Sequence, residues 1–194
     1  MKQPLSERFS AQDFSAQGFS AQDFREALGC FATGIAVVTA ATGDGNRIGA
    51  TVSSFNSVSL DPPLVLFSMA RSSGAFAAWQ SVDHFAVNVL AEHQDATSTK
   101  FARAMADKWD GVRHDAGANG APLLADSLAA FECARYANYD GGDHVIIVGR
   151  VLGVRVRKHA DAVPLIFFRS KYRRLAHEGG VDVPLDANLW SYGW

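Results

Sequence analysis

Cysteine is scarce in this chain of 194 residues, which contains only Cys30 and Cys133. The two residues belong to no CxxC pair and to no Cys/His cluster, so the pattern does not indicate a zinc site. A chain of this length buries enough surface to fold without disulfides or a structural metal. Both cysteines are therefore expected to be small buried hydrophobic residues, and no metal site is predicted.

Long apolar runs and an excess of one charge are also missing. No stretch approaches the roughly 18 consecutive apolar residues that a membrane-spanning helix requires, and no apolar signal segment follows the opening MKQPLSERF. The chain has 18 Lys and Arg against 20 Asp and Glu, a formal net charge of −2, which provides no basic surface for nucleic acid or an anionic membrane. These absences predict a soluble, cytoplasmic protein that binds neither membranes nor nucleic acid.

The motifs of several common enzyme classes are missing as well. The sequence contains no nucleophile elbow, HExxH helix, P-loop or GxGxxG fingerprint, so the usual hydrolase, metalloprotease and nucleotide-binding folds lack their defining residues. With 48% hydrophobic and 20% charged residues, the composition is that of an ordinary globular domain. Any chemistry must therefore come from a different arrangement of residues.

What the N-terminal segment does contain is a short repeat. The unit SAQDF or SAQGF occurs three times in succession, at 10–14, 15–19 and 20–24. Copies this short do not form a solenoid, so residues 1–20 are expected to be an arm without chemistry of its own. In the last copy Ser20 is followed by Asp23 at the spacing of an N-cap, which predicts a helix from about 21 to 32.

Most of the remaining chain has the pattern of β-strands joined by hairpins. Short runs rich in β-branched residues are separated by Gly, Asn, Asp and Pro, without a regular alternation of strand and helix. The predicted strands are 35–41, 47–55, 64–69, 84–91, the two long arms that flank 140–143, and 164–175. They predict a mainly β protein, an antiparallel split barrel of six to seven strands with a few short flanking helices, because closing the sheet removes exposed edges.

The other segments complete the predicted organisation. Residues 108–122 are rich in Gly, Asn and Asp, which predicts a long surface excursion and a flexible flap. The whole barrel domain is expected to span 21–176. A tail at 177–194, containing Trp190 and Trp194, follows it.

The most unusual feature is a run of hydroxyl groups in GATVSSFNSVSLDPP at 49–63. On a strand, the alternation of hydroxyl and apolar residues places Thr51 and Ser53 on the face opposite the core, with Ser57 and Ser59 continuing that face. A flat polar heterocycle could be hydrogen-bonded there. The alternative is that these residues simply occupy the solvent side of a half-exposed strand.

Two shorter motifs could bind a ligand. In RSSG at 71–74, just before a predicted short helix, hydroxyls, free N–H groups and a guanidinium could converge on a phosphate. The ordinary alternative is a helix cap beside a surface arginine. His144, in GDH at 142–144 by the mouth of the second hairpin, could donate a hydrogen bond to a carbonyl or a phosphate.

Seven segments of the sequence form a set that is specific in its combination and order. They are FATGIAVVTA at 31–40, GATVSSFNSVSLDPPLVLFSM at 49–69, ARSSG at 70–74, FAVNVL at 85–90, FEC at 131–133, GGDHVIIVGRV at 141–151 and FFRSKYRRL at 167–175. The set resembles the short-chain flavin reductases of two-component monooxygenases, and the resemblance covers about 24 to 176.

The resemblance implies a homodimeric split barrel that binds flavin in a groove near the subunit interface. The residues that it places beside the isoalloxazine and ribityl chain are Thr51, Val52, Ser53 and Ser54. Those that it places near the flavin phosphate are Arg71, Ser72 and Ser73. On the nicotinamide side it places His144 and Tyr172, and the remaining members of the implied cofactor-binding set are Thr33, Ser57, Phe101 and Arg173. None is an essential acid or base, because the cofactors carry the chemistry of hydride transfer.

The implied activity is hydride transfer from NADH, or NADPH, to FMN or FAD, with the reduced flavin passed to a separate monooxygenase. NADH is expected, whereas the sequence does not separate FMN from FAD. Two alternatives share the barrel: a non-catalytic flavin carrier or sensor, and an enzyme like pyridoxamine-phosphate oxidase, for which Lys171, Arg173 and Arg174 would hold the substrate phosphate. A third alternative is a barrel that binds a partner protein through its tail tryptophans, Trp190 and Trp194.

Overall fold

The computed structural model of the chain describes residues 18–104, 107–157 and 163–175. Most of the predicted arm at 1–20 and the predicted tail at 177–194, with Trp190 and Trp194, lie outside the described residues. Within those residues, no helix has both the length and the hydropathy needed to cross a membrane.

Three short helices flank the strands: α1 (Ala21–Gly29), α2 (Phe76–Ser81) and α3 (Asp95–Ala102). A single 3-10 turn, Glu92–Gln94, leads into α3. The predicted N-cap of α1 is confirmed, because the Ser20 hydroxyl accepts from the Asp23 N–H while the Asp23 carboxylate accepts from the Ser20 N–H at 2.7 Å. This reciprocal pair stabilises the start of the helix. The helix ends at Gly29, before the predicted residue 32.

The described residues form twelve strands, all paired antiparallel. They are β1 (Thr33–Gly34), β2 (Ala36–Ala41), β3 (Arg47–Val52), β4 (Asn56–Leu60), β5 (Pro63–Ala70), β6 (His84–Val89), β7 (His114–Ala116), β8 (Pro122–Leu124), β9 (Ala129–Gly141), β10 (His144–Val156), β11 (Ile166–Phe168) and β12 (Lys171–Arg173). The main sheet has seven strands in the order β3-β2-β6-β9-β10-β5-β4, beside a sheet β1-β11-β12 and a ribbon β7-β8. The predicted mainly β, antiparallel fold with a few short helices is confirmed.

Two hairpins supply most of the main sheet, and both were predicted from local sequence. β2 pairs with β3 from Ala36 opposite Val52 to Ala41 opposite Arg47. β9 and β10, of 13 residues each, pair along almost their whole length. Local patterns predict these hairpins well because the turn residues and the period-2 alternation lie within a few residues of each other.

The prediction of a single last strand at 164–175 is wrong. The segment forms a tight hairpin, β11 with β12, which joins β1 in the small sheet. Arg169 and Ser170 make the turn with φ of 48° and 59°. Neither residue type favours left-handed backbone, so the sequence carries no local signal for this turn.

The prediction of a flexible flap at 108–122 is also wrong. The segment contains β7 and the start of β8, and the Asn119 side chain donates to the carbonyl oxygens of Phe85 at 3.0 Å and Cys133 at 3.2 Å. Leu123 is buried just beyond it. The expectation for the two cysteines holds for Cys133, which is buried, but not for Cys30, which is exposed next to the end of α1.

Two hydrophobic clusters lie on opposite sides of β2. Phe67, Trp79 and Phe85 form the centre of the larger one, where their rings meet edge to face with centroids 5.3 to 6.5 Å apart. The smaller cluster contains Leu90 and Phe101. Because β2 and β3 lie between these clusters and β3 has only one paired edge, the other edge of β3 is left free beside the packed interior.

Candidate functional site

A groove of about 850 Å³ runs along the free edge of β3. One wall is the end of β5 with the turn and helix α2 that follow it, and the other is the end of α3 with the loop that leads to Trp109. The small residues Gly49, Ala50, Gly74 and Ala75 lie along the groove and keep it open. The site is therefore assembled from one strand edge and two helix-loop segments.

The backbone of β3 offers hydrogen-bonding groups to this groove. The Lys108 ammonium lies 3.5 Å from the Gly49 carbonyl oxygen, which indicates that this carbonyl faces away from β2. In an antiparallel pair, alternate residues direct both N–H and C=O away from the partner strand, so Thr51 shares the orientation of Gly49. The N–H and C=O of Thr51 are therefore free for a ligand with a complementary polar edge.

The side chain of Thr51 connects the groove to α3 and the small sheet. Its hydroxyl donates to the Ser98 carbonyl oxygen at 2.6 Å, and the Ser98 hydroxyl lies 2.8 Å from the Tyr172 hydroxyl. Tyr172 is also packed edge to face on Phe167. Tyr172 does not line the groove, but it contacts the residue that holds Thr51.

The other hydroxyls of this run divide into two groups. Val52, Ser53 and Ser54 line the groove with Thr51, and the Ser54 hydroxyl accepts from the Ser68 N–H of β5 at 2.9 Å. Ser57 lies on β4, exposed and outside the groove lining. The expectation that Ser57 and Ser59 continue the face of Thr51 is wrong, because the chain leaves the sheet between β3 and β4.

Ser72 and Ser73 line the groove beyond the end of β5, whereas Arg71 does not. The Arg71 guanidinium donates to the Asp140 carboxylate at 2.7 Å and to the Gly142 carbonyl oxygen at 2.9 Å. Arg71 thus holds the turn between β9 and β10 against the end of β5.

His144 lies beside these serines because it pairs with Ala70, the last residue of β5. Its Nδ1 is 2.7 Å from the Asp143 carboxylate. This hydrogen bond is the main cause that lowers the pKa of Asp143 below its usual value. A carboxylate on Nδ1 fixes the orientation of the ring and leaves Nε2 for another partner.

Eight of the thirteen residues predicted for cofactor binding line the groove, and five do not. The eight are Thr51, Val52, Ser53, Ser54, Ser72, Ser73, Phe101 and His144. The other five are Thr33, Ser57, Arg71, Tyr172 and Arg173. Thr33 has a buried hydroxyl without a hydrogen-bond partner among the described residues, and Arg173 is exposed on β12. Roles of these residues in binding remain predictions.

The sequence analysis missed a cationic end of the groove, formed by Arg47, Arg103, Lys108 and the ring of Trp109. The Arg47 guanidinium lies over the Trp109 ring at 5.5 Å from its centroid. Burial lowers the pKa of the Lys108 ammonium. In the described part of the chain, the groove lining includes three Arg and Lys residues and no Asp or Glu.

Comparisons with known proteins identify the family of this chain. The sequence model of the family described as flavin reductase like domain matches residues 28–176. The chain belongs to this family. It is 46% identical over 155 residues to the FMN reductase (NADH) SmoA of Agrobacterium fabrum, a match that covers 80% of this chain and 86% of that protein. It is 36% identical over 170 residues to HsaB of Rhodococcus jostii, a reductase subunit of a flavin-dependent monooxygenase, with 87% and 85% covered.

A solved structure extends the similarity to three dimensions. The NADH:FAD oxidoreductase SgcE6 of Streptomyces globisporus, in complex with NAD and FAD fragments, has a TM-score of 0.76 and 34% identity, covering 82% of this chain and 94% of that one. Some relatives of this flavin reductase domain are longer, since the chain spans 41% of a probable flavin reductase of Rhizobium meliloti.

The groove of this flavin reductase domain has donors that suit a flavin. The free N–H and C=O of Thr51 match the polar edge of the isoalloxazine, and the hydroxyls of Ser72 and Ser73 can donate to a phosphate. Gly74 leaves open space in the groove lining, since a Cβ there would meet nothing within 4 Å, whereas Gly49 allows the Phe101 ring to pack against β3, because a Cβ at Gly49 would meet that ring at 2.6 Å. Among the described residues, no three His, Cys, Asp or Glu side chains come together as metal ligands would.

Proposed function

We propose that this chain oxidises NADH, reduces FMN or FAD in the groove along β3, and releases the reduced flavin to a separate monooxygenase. The observation that carries the proposal is the groove lining, which combines hydroxyls, a free strand edge and three cations without a carboxylate among the described residues. Such a lining suits a flat heterocycle that carries an anionic chain. The names of the relatives, an FMN reductase (NADH) and a monooxygenase reductase subunit, describe the same chemistry.

The protein's part in this reaction is positioning and polar stabilisation. A bound flavin supplies the hydride-accepting chemistry, so the chain needs no nucleophile and no general acid. The Thr51 N–H and the Ser53 hydroxyl would hold the polar edge of the ring, where negative charge develops, as preorganised donors do in other enzymes. Ser72 and Ser73 would hold the flavin phosphate.

His144 and Tyr172 have different roles in this proposal. His144 lines the groove and, oriented by Asp143, would contact the nicotinamide nucleotide. Tyr172 acts through the Ser98 hydroxyl and is a positioning residue for Thr51. A direct contact between Tyr172 and the nucleotide would require the nucleotide to reach beyond the groove lining.

The domain boundaries and a homodimer complete the proposal. The matched segment at 28–176 supports a catalytic domain at 21–176, with the arm at 1–20 and the tail at 177–194 outside it. Val154 and Val156 alternate along β10 and therefore share a face, and with Leu152, at the irregularity before them, they are 56 to 60% exposed. An exposed apolar stripe of this kind is typical of a protein interface.

Light scattering on the purified protein tests the homodimer. A dimeric mass that the Val154→Lys variant reduces to a monomer would support an interface at this stripe. A monomeric mass at micromolar concentration would contradict it.

The oxidase alternative finds less support in the groove. Lys171, Arg173 and Arg174, its candidate phosphate cluster, do not line the groove, and Arg174 lies 3.8 Å from the Glu92 carboxylate. A carrier without turnover differs from a reductase only in its kinetics.

The decisive experiment is oxidation of NADH and of NADPH by the purified protein, followed by absorbance without flavin, with FMN and with FAD. Turnover that requires added flavin is expected, with NADH preferred. Flavin that stays bound without NADH consumption would instead identify a carrier, and the absence of both binding and turnover would contradict a flavin function. Transfer is then tested by adding a flavin-dependent monooxygenase that lacks its own reductase.

A further inference from the structure

The groove has two chemically different ends. Ser72, Ser73 and His144 lie at one end, beside the end of β5. Arg47, Lys108 and Trp109 lie at the other, beside the start of β3. Because a strand rises about 3.3 Å per residue, Arg47 is about 17 Å from Val52 along β3. All six residues of β3 line the groove over this length, so the groove offers room for two anionic groups.

Lys108 lies in the loop after α3, and one N–H of its ammonium is available for a further partner. Its ammonium donates to the Phe101 carbonyl oxygen at 3.0 Å and approaches the Gly49 carbonyl oxygen at 3.5 Å. An ammonium has three N–H donors, so these two neutral acceptors leave one for a third partner. Lys108 forms no ion pair with a carboxylate of the described residues. A partly buried cation without a counter-ion is stabilised by an anionic ligand.

Arg47 is oriented by the ring of His114. The His114 Nδ1 is 2.9 Å from the Val112 carbonyl oxygen, so this nitrogen carries the proton and donates. The other nitrogen, Nε2, therefore accepts from the Arg47 Nη1 at 2.8 Å. Trp109 packs against both His114 and Phe101, which fixes the ring beneath the guanidinium. Arg47 is thus held in position, and its guanidinium forms no ion pair with a carboxylate of the described residues.

We propose that Arg47 and Lys108, beside Trp109, form a second anion subsite that binds the pyrophosphate of an adenine dinucleotide, either FAD or NADH. The proposal rests on the proposed function, because it takes the Ser72 and Ser73 end as the site of the flavin 5′-phosphate. It makes these two residues determinants of dinucleotide affinity, with no role in binding riboflavin.

Affinities of riboflavin, FMN and FAD, measured by fluorescence titration, test the subsite in Lys108→Met and Arg47→Gln. If FAD supplies the pyrophosphate, its dissociation constant rises roughly ten-fold, the loss of one charge-assisted hydrogen bond, while those of riboflavin and FMN stay within about two-fold. If NADH supplies it, flavin affinities are unchanged and KM for NADH rises by a similar factor with FMN as acceptor and kcat retained. Either result supports the subsite.

The matched control is Lys100→Met. Lys100 lies on α3, also donates to a backbone carbonyl, that of Asp110, and does not line the groove. It is expected to change no affinity. Lys108→Arg keeps the charge and should restore most of the binding lost in Lys108→Met. If Lys108→Met does not fold, Arg47→Gln tests the subsite alone, because Arg47 is an exposed side chain.

Three results would overturn the subsite. The first is that neither variant changes the affinity for any flavin or the KM for NADH. The second is that the affinities for riboflavin, FMN and FAD all fall by the same factor. The third is that the affinities for FMN and FAD fall equally while that for riboflavin is unchanged, which would place the 5′-phosphate at this end. A failure of the proposed function is distinguishable, since the wild-type protein would then neither bind flavin nor oxidise NADH. In that event calorimetry with inorganic pyrophosphate decides the subsite: binding that is lost in Lys108→Met supports it, and no binding overturns it.

Discussion

The aromatic core and the groove lie close together but are built from different residues. Around Phe67, Trp79 and Phe85 the rings fill the interior, and none of the Asp, Glu, Lys and Arg residues that the structure describes is buried. Along β3 the strand edge is unpaired, the exposed Ser53 follows it in the groove lining, and cations lack carboxylate partners among the described residues. The difference teaches that substitutions in the core should alter the free energy of unfolding, whereas substitutions in the groove should alter affinity for ligands.

The largest effect should come from the core. Phe85→Ala removes a fully buried ring that contacts both Phe67 and Trp79, so it should lower the free energy of unfolding by about 3–5 kcal/mol. Urea denaturation without flavin measures this change. The control is Phe31→Ala, which removes a ring that is 76% exposed and should cost under about 0.5 kcal/mol. Equal losses in the two variants would mean that the aromatic cluster does not dominate stability.

Gly49→Ala should affect stability and binding together, because Gly49 lines the groove and packs against Phe101 of the smaller hydrophobic cluster. Its new methyl group would lie 2.6 Å from Cε1 of the buried Phe101 ring. The overlap should cost about 1–3 kcal/mol and, by displacing the ring that lines the groove, weaken FMN binding. Gly34→Ala is the control, since its methyl group would meet nothing within 4 Å. If the Gly49→Ala protein is less stable but binds FMN with unchanged affinity, the contact between Gly49 and Phe101 does not contribute to FMN binding.

Thr51→Val tests the link between the groove and α3. The variant loses the hydrogen bond to the Ser98 carbonyl oxygen, which should lower the free energy of unfolding by about 0.5–1.5 kcal/mol. Thr33→Val removes a buried hydroxyl that has no partner among the described residues, so it should be neutral or slightly stabilising. Denaturation of both variants measures the contrast. A loss of flavin affinity in Thr33→Val would show that Thr33 contributes to binding although it does not line the groove.

The local elements of the fold could be predicted from sequence better than the cationic end of the groove because their signals are local. The cap at Ser20, the two hairpins and the hydroxyl run at Thr51 each depend on residues within a few positions of one another. Arg47 and His114, by contrast, are 67 positions apart and meet only through tertiary packing. No periodicity or motif relates such residues, so the cationic end of the groove could not be found before the structure.

The predicted site residues that lie outside the groove have the same explanation. Arg71 follows a strand as a phosphate-binding arginine would, yet Asp140, 69 positions away, is its partner. Ser57 continues the hydroxyl pattern, but the break between β3 and β4 takes it away from Thr51. A resemblance identifies which residues belong to a family pattern, and the pairing of distant segments decides which of them face the groove.

Ser73→Ala should leave stability within about 0.5 kcal/mol and weaken only the flavins that carry a phosphate. Its hydroxyl accepts from the Ala75 N–H at a long 3.4 Å, so little intramolecular bonding is lost. FMN affinity should fall several-fold, as expected for one hydrogen bond to a charged group, while riboflavin affinity stays the same. Equal weakening of FMN and riboflavin would instead mean that Ser73 shapes the ring site.

The smallest effect should come from the cysteine outside both regions. Cys30 is exposed, and Cys133 is buried in the aromatic cluster, where burial and the nearby Glu132 charge raise the pKa of its thiol to about 12. At pH 8 a thiol reagent should therefore modify one cysteine in the native protein and two in denaturant, since the thiolate is the reactive form. Cys30→Ser should abolish the native reaction and leave both stability and flavin reduction unchanged. Rapid labelling of Cys133 in the native protein would mean that the core opens readily. That result would contradict the contrast between a closed core and an open groove.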